Sequence, residues 1–131
     1  MKKTLKATEL RIGNWVSSKE IPVQIEKITT ETVRYCFGDF PISYIKPIPI
    51  TEDWLLLLGF TKRDGLFRLS KYWVEFRNFD CVGLKIIFGC FQINKIYITY
   101  SVDTIEYVHQ LQNLYFALTG YELKLQETSC L

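Results

Sequence analysis

D-T-I-E-Y-V-H-Q-L-Q-N-L-Y-F-A-L-T-G, residues 103–120, is the stretch that decides the fold. Its spacing predicts a helix over 104–119. Asp103 is placed to accept from the free N–H groups of the first turn, and Glu106 to reach back and complete a capping box. Gly120 follows the last periodic residue and is free to take the left-handed C-cap conformation. The body is about 16 residues, or roughly 24 Å at the standard rise. On a helical wheel Leu111, Leu114, Leu118, Tyr107, Tyr115, Val108, Ile105 and Phe116 fill an apolar arc of roughly 200°. One sheet face needs less than that, so the helix is expected to be covered on more than one side. Gln112 falls inside the arc and His109 at its edge. A buried amide left without partners costs on the order of 1–3 kcal/mol. Gln112 therefore either bonds the backbone of a neighbouring loop or joins His109 and Asn113 in presenting polar groups to a ligand.

Residues 60–100, upstream of the helix, read as an antiparallel meander. Asp64-Gly65 is a hairpin signal between Phe60–Arg63 and Leu66–Leu69. Tyr72, Val74 and Phe76 alternate against Trp73, Glu75 and Arg77, and further strands follow at 82–88, 91–93 and 96–100. A helix after such a meander is expected to pack across one sheet face. Leu123 and Leu125 could add an edge strand. Further upstream, Thr51 caps a short helix over 52–58 with Glu52 and Asp53 in its first turn, where acids are favourable. Trp54 to Leu58 is apolar all round, which predicts a sandwiched helix. Gly59 and Phe60 fit a Schellman stop.

Residues 10–50 read as short strands. Leu10-Arg11-Ile12 alternates, Gly13-Asn14 permits a bend, and Trp15-Val16 resumes. Val23 to Ile28 is next, with its alternation broken at Glu26-Lys27. Val33, Tyr35 and Phe37 then share a face, and Phe40–Ile45 begins another strand. The spacing suggests a small curled sheet of the SH3-like kind. The fold class is thus α+β, in a single domain over 1–131. Pro47 and Pro49 mark a boundary between an N-terminal lobe, 1–50, and a C-terminal lobe, 51–131.

Composition narrows the function classes. A net charge of +2 over 131 residues argues against a dedicated nucleic-acid-binding protein. The longest apolar run, Trp54–Leu58, is far short of the ~20 residues a membrane span needs. No apolar segment follows Met1-Lys2-Lys3, so a cytoplasmic location is expected. Cys36, Cys81, Cys90 and Cys130 show no C-x-x-C spacing, which suits reduced, mostly buried thiols. One histidine and scattered cysteines predict no metal site. Without G-x-S-x-G, a phosphate-binding glycine loop or H-E-x-x-H, no catalytic residues are assigned, and neither enzyme activity nor a cofactor is expected.

What remains points to binding. Aromatic residues make up 15% of the chain, and rings favour strands and interfaces. Lys62, Arg63, Arg68, Lys71 and Arg77 outnumber Asp64 and Glu75 and are interleaved with Phe67, Tyr72, Trp73 and Phe76. Cations beside exposed rings suit phosphates and stacked bases. If Tyr72, Val74 and Phe76 face the helix, Trp73 and Arg77 point outward. The candidate ligand-binding residues are therefore Arg68, Trp73 and Arg77, with His109 and Gln112 as a second group. A solvated strand face with a covering ring is the plainer account of the first three.

L-R-I-G-N-W-V at 10–16, P-I-P-I-T-E-D-W-L-L-L-L-G-F at 47–60 and Y-V-H-Q-L-Q-N-L-Y-F-A-L-T-G at 107–120 resemble a family of small phage and prophage proteins of Bacteroides-type gut bacteria. Members carry these blocks around a variable middle. The resemblance implies a phage context, action inside the host cell and no particular chemistry. Two readings follow. One is a non-enzymatic binder that sequesters a nucleotide-like immune signal. The other is a protein-interaction module, either a defence inhibitor acting by contact or a virion or packaging adaptor. The apolar surface of the helix suits a homo-oligomer in either case.

Overall fold

The computed structural model describes residues 5–69, 72–79, 83–91, 97–100 and 105–125, and for 77–79, 83–91 and 97–100 the backbone alone. Short antiparallel strands in three sheets, with a C-terminal helix, make this an α+β protein. The chain divides into two units. The first comprises Met1–Ile50 and Tyr107–Glu122, the second Thr51–Glu106 and Leu123–Leu131.

The first unit carries β1 (Trp15–Ser18), β2 (Ile21–Gln24), β3 (Lys27–Ile28), β4 (Thr32–Tyr35), β5 (Gly38–Pro41) and β6 (Ile45–Lys46). They form two sheets, ordered β2-β1-β6 and β3-β4-β5. The break in alternation after Ile25 is where the chain changes sheet. Ile25 bonds back to the first turn, its N–H to Asn14 O at 2.9 Å and its carbonyl to Gly13 N at 2.8 Å. The next N–H, of Glu26, goes to Arg34 O in the second sheet. Strand period is two, so a shift of one residue reverses every side chain, and the switch keeps both Ile25 and Ile28 inward. Val16, Val23, Ile25, Val33, Tyr35, Ile42 and Ile45 join Leu5 and Leu10 in one core cluster.

Three details of these strands differ from the sequence pattern. The strand expected over Phe40–Ile45 stops at Pro41, and a 3-10 turn at Ile42–Tyr44 intervenes before β6. Leu10-Arg11-Ile12 is not a strand. A 3-10 turn at Ala7–Glu9 leads into a tight turn, closed by Asn14 N–H to Arg11 O at 3.0 Å and by Arg11 N–H to Asn14 Oδ1 at 2.6 Å. An Asn side chain bonding nearby backbone competes directly with a ladder. Phe37 leaves the face of Val33 and Tyr35 because Tyr35 pairs with Gly38, which puts Cys36-Phe37 in the two-residue turn.

The helices are α1 (Glu52–Leu57) and α2 (Val108–Thr119). α2 starts four residues later than its sequence spacing predicts. Tyr107 is extended (φ −124°, ψ 153°) and bridged to Pro49, and Val108 N–H donates to Ile48 O at 2.8 Å. The expected Asp103 cap lies outside the described residues. Gln110 Oε1 accepts from Tyr107 N–H at 3.1 Å and so takes the reaching-back role expected of Glu106. Gly120 closes the helix at φ +78°, its N–H on Phe116 O at 2.8 Å. α2 belongs to the first unit, whereas the sequence pattern assigned it to the meander. Val108, His109, Leu111 and Gln112 are buried, but Phe116 and Leu118 are exposed, so the apolar arc is covered only along the first half of the helix.

In the second unit α1 is fixed at both ends. Trp54 N–H donates to Thr51 Oγ1 at 3.3 Å. Gly59 has φ +96°, and Phe60 N–H to Leu55 O with Gly59 N–H to Leu56 O completes a Schellman motif. Leu55 and Leu58 are buried while Leu56 and Leu57 are exposed, so α1 buries one face and is not sandwiched. β7 (Thr61–Arg63), β8 (Leu66–Leu69), β9 (Tyr72–Phe79), β10 (Gly83–Phe91) and β11 (Tyr97–Tyr100) form an antiparallel sheet in sequential order. Asp64-Gly65 turns β7 into β8, both residues at positive φ, as a type I′ hairpin requires. β9 continues through Asn78 and Phe79, and of the strand expected at 91–93 only Phe91, the last residue of β10, lies within the described residues. Leu123 and Leu125 are not in a strand.

Candidate functional site

The five residues singled out for ligand binding fall in different units. Arg68 on β8 and Trp73 on β9 are cross-strand neighbours, in the row Thr61–Arg68–Trp73. Arg77 sits further along β9 opposite Lys85, and its side chain lies outside the described residues. Arg68 is half-buried and Trp73 is only 4% exposed. The ring expected to face outward is therefore enclosed. Tyr72, Trp73 and Val74 are all buried, so both faces of β9 are covered at this point. Alternation assigns side chains to faces, but it does not say which faces are covered.

His109 and Gln112 lie on the buried face of α2 in the first unit, both without accessible surface. Gln112 follows the plainer of its two readings. Its Oε1 accepts from Trp15 N–H at 2.8 Å, and its Nε2 donates to Gly13 O at 3.0 Å. Asn113, one residue on, accepts at Oδ1 from Arg11 Nη1 (3.0 Å) and Asn14 Nδ2 (2.9 Å), and donates from Nδ2 to Glu9 O (3.0 Å). Arg11 also pairs with Glu122 and lies 4.1 Å over the Phe116 ring. His109 Nε2 is 3.4 Å from Glu9 Oε1, and its ring stacks on Tyr107. These side chains tie the 9–15 segment to the helix. Buried polar groups joined this way specify one arrangement, because any other leaves them unsatisfied. Arg11 and Asn14 were not singled out from the sequence, and a short polar residue after glycine is a faint signal of such a role.

The surface shows a different set. Phe37, Tyr121, Ile12, Ile21 and Tyr44 in the first unit are large apolar side chains left exposed. Phe37 is fully so, at 100%, at the tip of the β4–β5 hairpin. Cys36 beside it is also exposed, where a buried thiol was expected. Cys90 lies on β10, and Cys81 and Cys130 lie outside the described residues. Behind the tip the outward row of the sheet is Lys27–Arg34–Asp39, in cross-strand register. Arg34 grips Asp39 with two bonds, Nε to Oδ1 and Nη2 to Oδ2, each 3.0 Å.

That hydrogen-bonded guanidinium, with Lys27 beyond it, holds the Asp39 carboxyl below its ordinary 3.8. The group is exposed, so the effect on stability is small and screened. Its sign is fixed: a depressed folded pKa adds stability above pH 3.8, and this is lost as pH falls through the lower folded value. Arg34→Gln is expected to return the Asp39 midpoint upward in a carboxyl NMR titration. A midpoint that does not move would show the pair absent in solution.

Among the described residues no helix is long and apolar enough to cross a membrane, and no three His, Cys, Asp or Glu side chains are grouped to hold a metal ion. No family model matches the chain, and neither does any curated protein or solved structure.

Proposed function

We propose that this chain is a non-enzymatic protein-interaction module that acts by contact on a host or phage protein in the cytoplasm of an infected cell. The observation that carries the reading is the exposure of large apolar side chains on the first unit, while Trp73, His109 and Gln112 are buried. Contiguous exposed apolar surface marks interaction sites, and in this reading these side chains contribute to one. Two resembling blocks, 10–16 and 107–120, meet through Gln112 and Asn113 to build that unit. In this reading its two small sheets form an SH3-like curl that serves as the constant scaffold. The variable 61–100 segment adjusts the module to changing targets. Anti-defence inhibition and a virion or packaging role are the two uses a phage context offers.

Sequestration of a nucleotide-like signal keeps one specific support, the basic β7–β8 hairpin with Lys62, Arg63 and Arg68. Lys62 is already tied to Glu52 at 3.1 Å, and it stands 5.7 Å from the Phe67 ring. A thermal-shift screen against cyclic and linear nucleotides separates the readings. A true ligand at 100 times its dissociation constant stabilises the folded state by ~2.7 kcal/mol. The interaction module predicts no stabilisation. A shift abolished by Arg68→Ala would replace it with the sequestration reading.

A further inference from the structure

Each of the three sheets ends in two edge strands, and an edge carries a row of backbone N–H and C=O groups open to another chain. Proteins block such rows with proline, with charge or by keeping the strand very short. Five of the six edges in the described sheets are blocked in one of these ways. β2 carries Pro22. β5 carries Asp39 and Pro41, both exposed. β3 and β6 are two residues long and carry Lys27 and Lys46. β7 is three residues long, with Lys62 and Arg63 exposed. β11 is the exception. It is Tyr97-Ile98-Thr99-Tyr100, without charge or proline, and every residue in it favours extended backbone. β10 pairs with one side of β11, and among the described residues no strand pairs with the other.

We propose that β11 pairs with β11 of a second copy of this chain, antiparallel about a two-fold axis, so that two five-stranded sheets become one continuous sheet. Opposed residues in an antiparallel ladder share their hydrogen-bonding type, so identical strands meet odd position against odd and even against even. Two registers satisfy this within β11. A two-fold at Ile98 sets Ile98 against Ile98 and Tyr97 against Thr99. A two-fold at Thr99 sets Thr99 against Thr99 and Ile98 against Tyr100. Both registers consist of β-branched and aromatic pairs, which stabilise a ladder, and neither opposes like charges. The same operation at β7 sets Lys62 against Lys62, and at β5 it sets Asp39 against Asp39 or against Pro41. β11 is thus its own complement, and it carries no charge with which to select a foreign strand. An isologous contact uses one patch twice, which is what such a strand supplies. The pairing is independent of the protein-interaction reading above.

The test uses the full chain. Sedimentation velocity over an about hundredfold range of concentration is expected to show a monomer passing into a dimer. In an equal mixture of isotope-labelled and unlabelled chains, filtered NOEs are expected between Ile98 or Thr99 of one copy and β11 of the other. Ile98→Lys and Thr99→Lys, made singly, each oppose Lys to Lys in one of the two registers. The variant that matches the register seen by NMR is expected to weaken dimerisation about tenfold or more. Circular dichroism at the dilute end checks that each variant is folded, and if neither folds the NOEs of the unsubstituted chain decide. Benzoylphenylalanine at position 98 is expected to give, in the expressing cells, an adduct of twice the chain's mass. A monomer at every concentration overturns the proposal. A dimer whose NOEs arise from α2, or from anywhere else outside β11, overturns the edge pairing. An adduct from position 98 to a foreign protein alone overturns the second copy in favour of a partner's strand.

Discussion

Gln112→Leu is expected to destabilise the protein by about 2–4 kcal/mol in urea denaturation, although the substitution keeps volume nearly constant and adds apolar surface at a buried site. Trp15 N–H loses the oxygen that accepts it at 2.8 Å, and a buried donor whose acceptor is removed carries a penalty of about 1–3 kcal/mol. Gly13 O loses the 3.0 Å bond from Nε2 but keeps Gln24 Nε2 at 3.1 Å, so its share is smaller. The two bonds span the junction between the turn at 11–14 and β1. Their loss is also expected to speed amide exchange at Trp15 more than at Val23 on the paired strand. If Gln112→Leu were neutral or stabilising, the loop would not be held by this side chain, and Gln112 would again be open to a ligand.

Leu111→Ala is expected to cost about 2–5 kcal/mol, since Leu111 has no accessible surface and the truncation opens a cavity among close-packed neighbours. Leu118→Ala, two turns along the same apolar arc, is expected to change stability by less than about 0.5 kcal/mol, because Leu118 is 43% exposed. The contrast is the useful measurement. The helical wheel treats the two leucines alike, and the structure does not. Equal effects at both positions would mean that the second half of α2 is covered in solution, as it would be in a homo-oligomer. A protein-concentration dependence of the Leu118→Ala effect would then identify self-association as the cover.

Several features of this fold are written locally. Thr51, Gly59 and Phe60 start and stop α1 through bonds between residues three to five apart, so the residues T-E-D-W and G-F suffice to define it. Asp64-Gly65 does the same for the β7–β8 turn and Gly120 for the end of α2, because only certain residues tolerate positive φ without strain. The broken alternation after Ile25 likewise marks where the strand changes sheet. What the tertiary structure alone decides depends on partners far away in the chain. Gln112 meets Trp15 across 97 positions, and Asn113 meets Arg11 across 102, so nothing near either residue reveals whether its amide is committed. The start of α2 is set by a bridge from Tyr107 to Pro49, which holds in extended form a segment whose own spacing is helical. Trp73 is enclosed and Phe37 exposed for a related reason. Periodicity gives each side chain a direction, but whether that direction meets protein or water depends on what the rest of the chain places there.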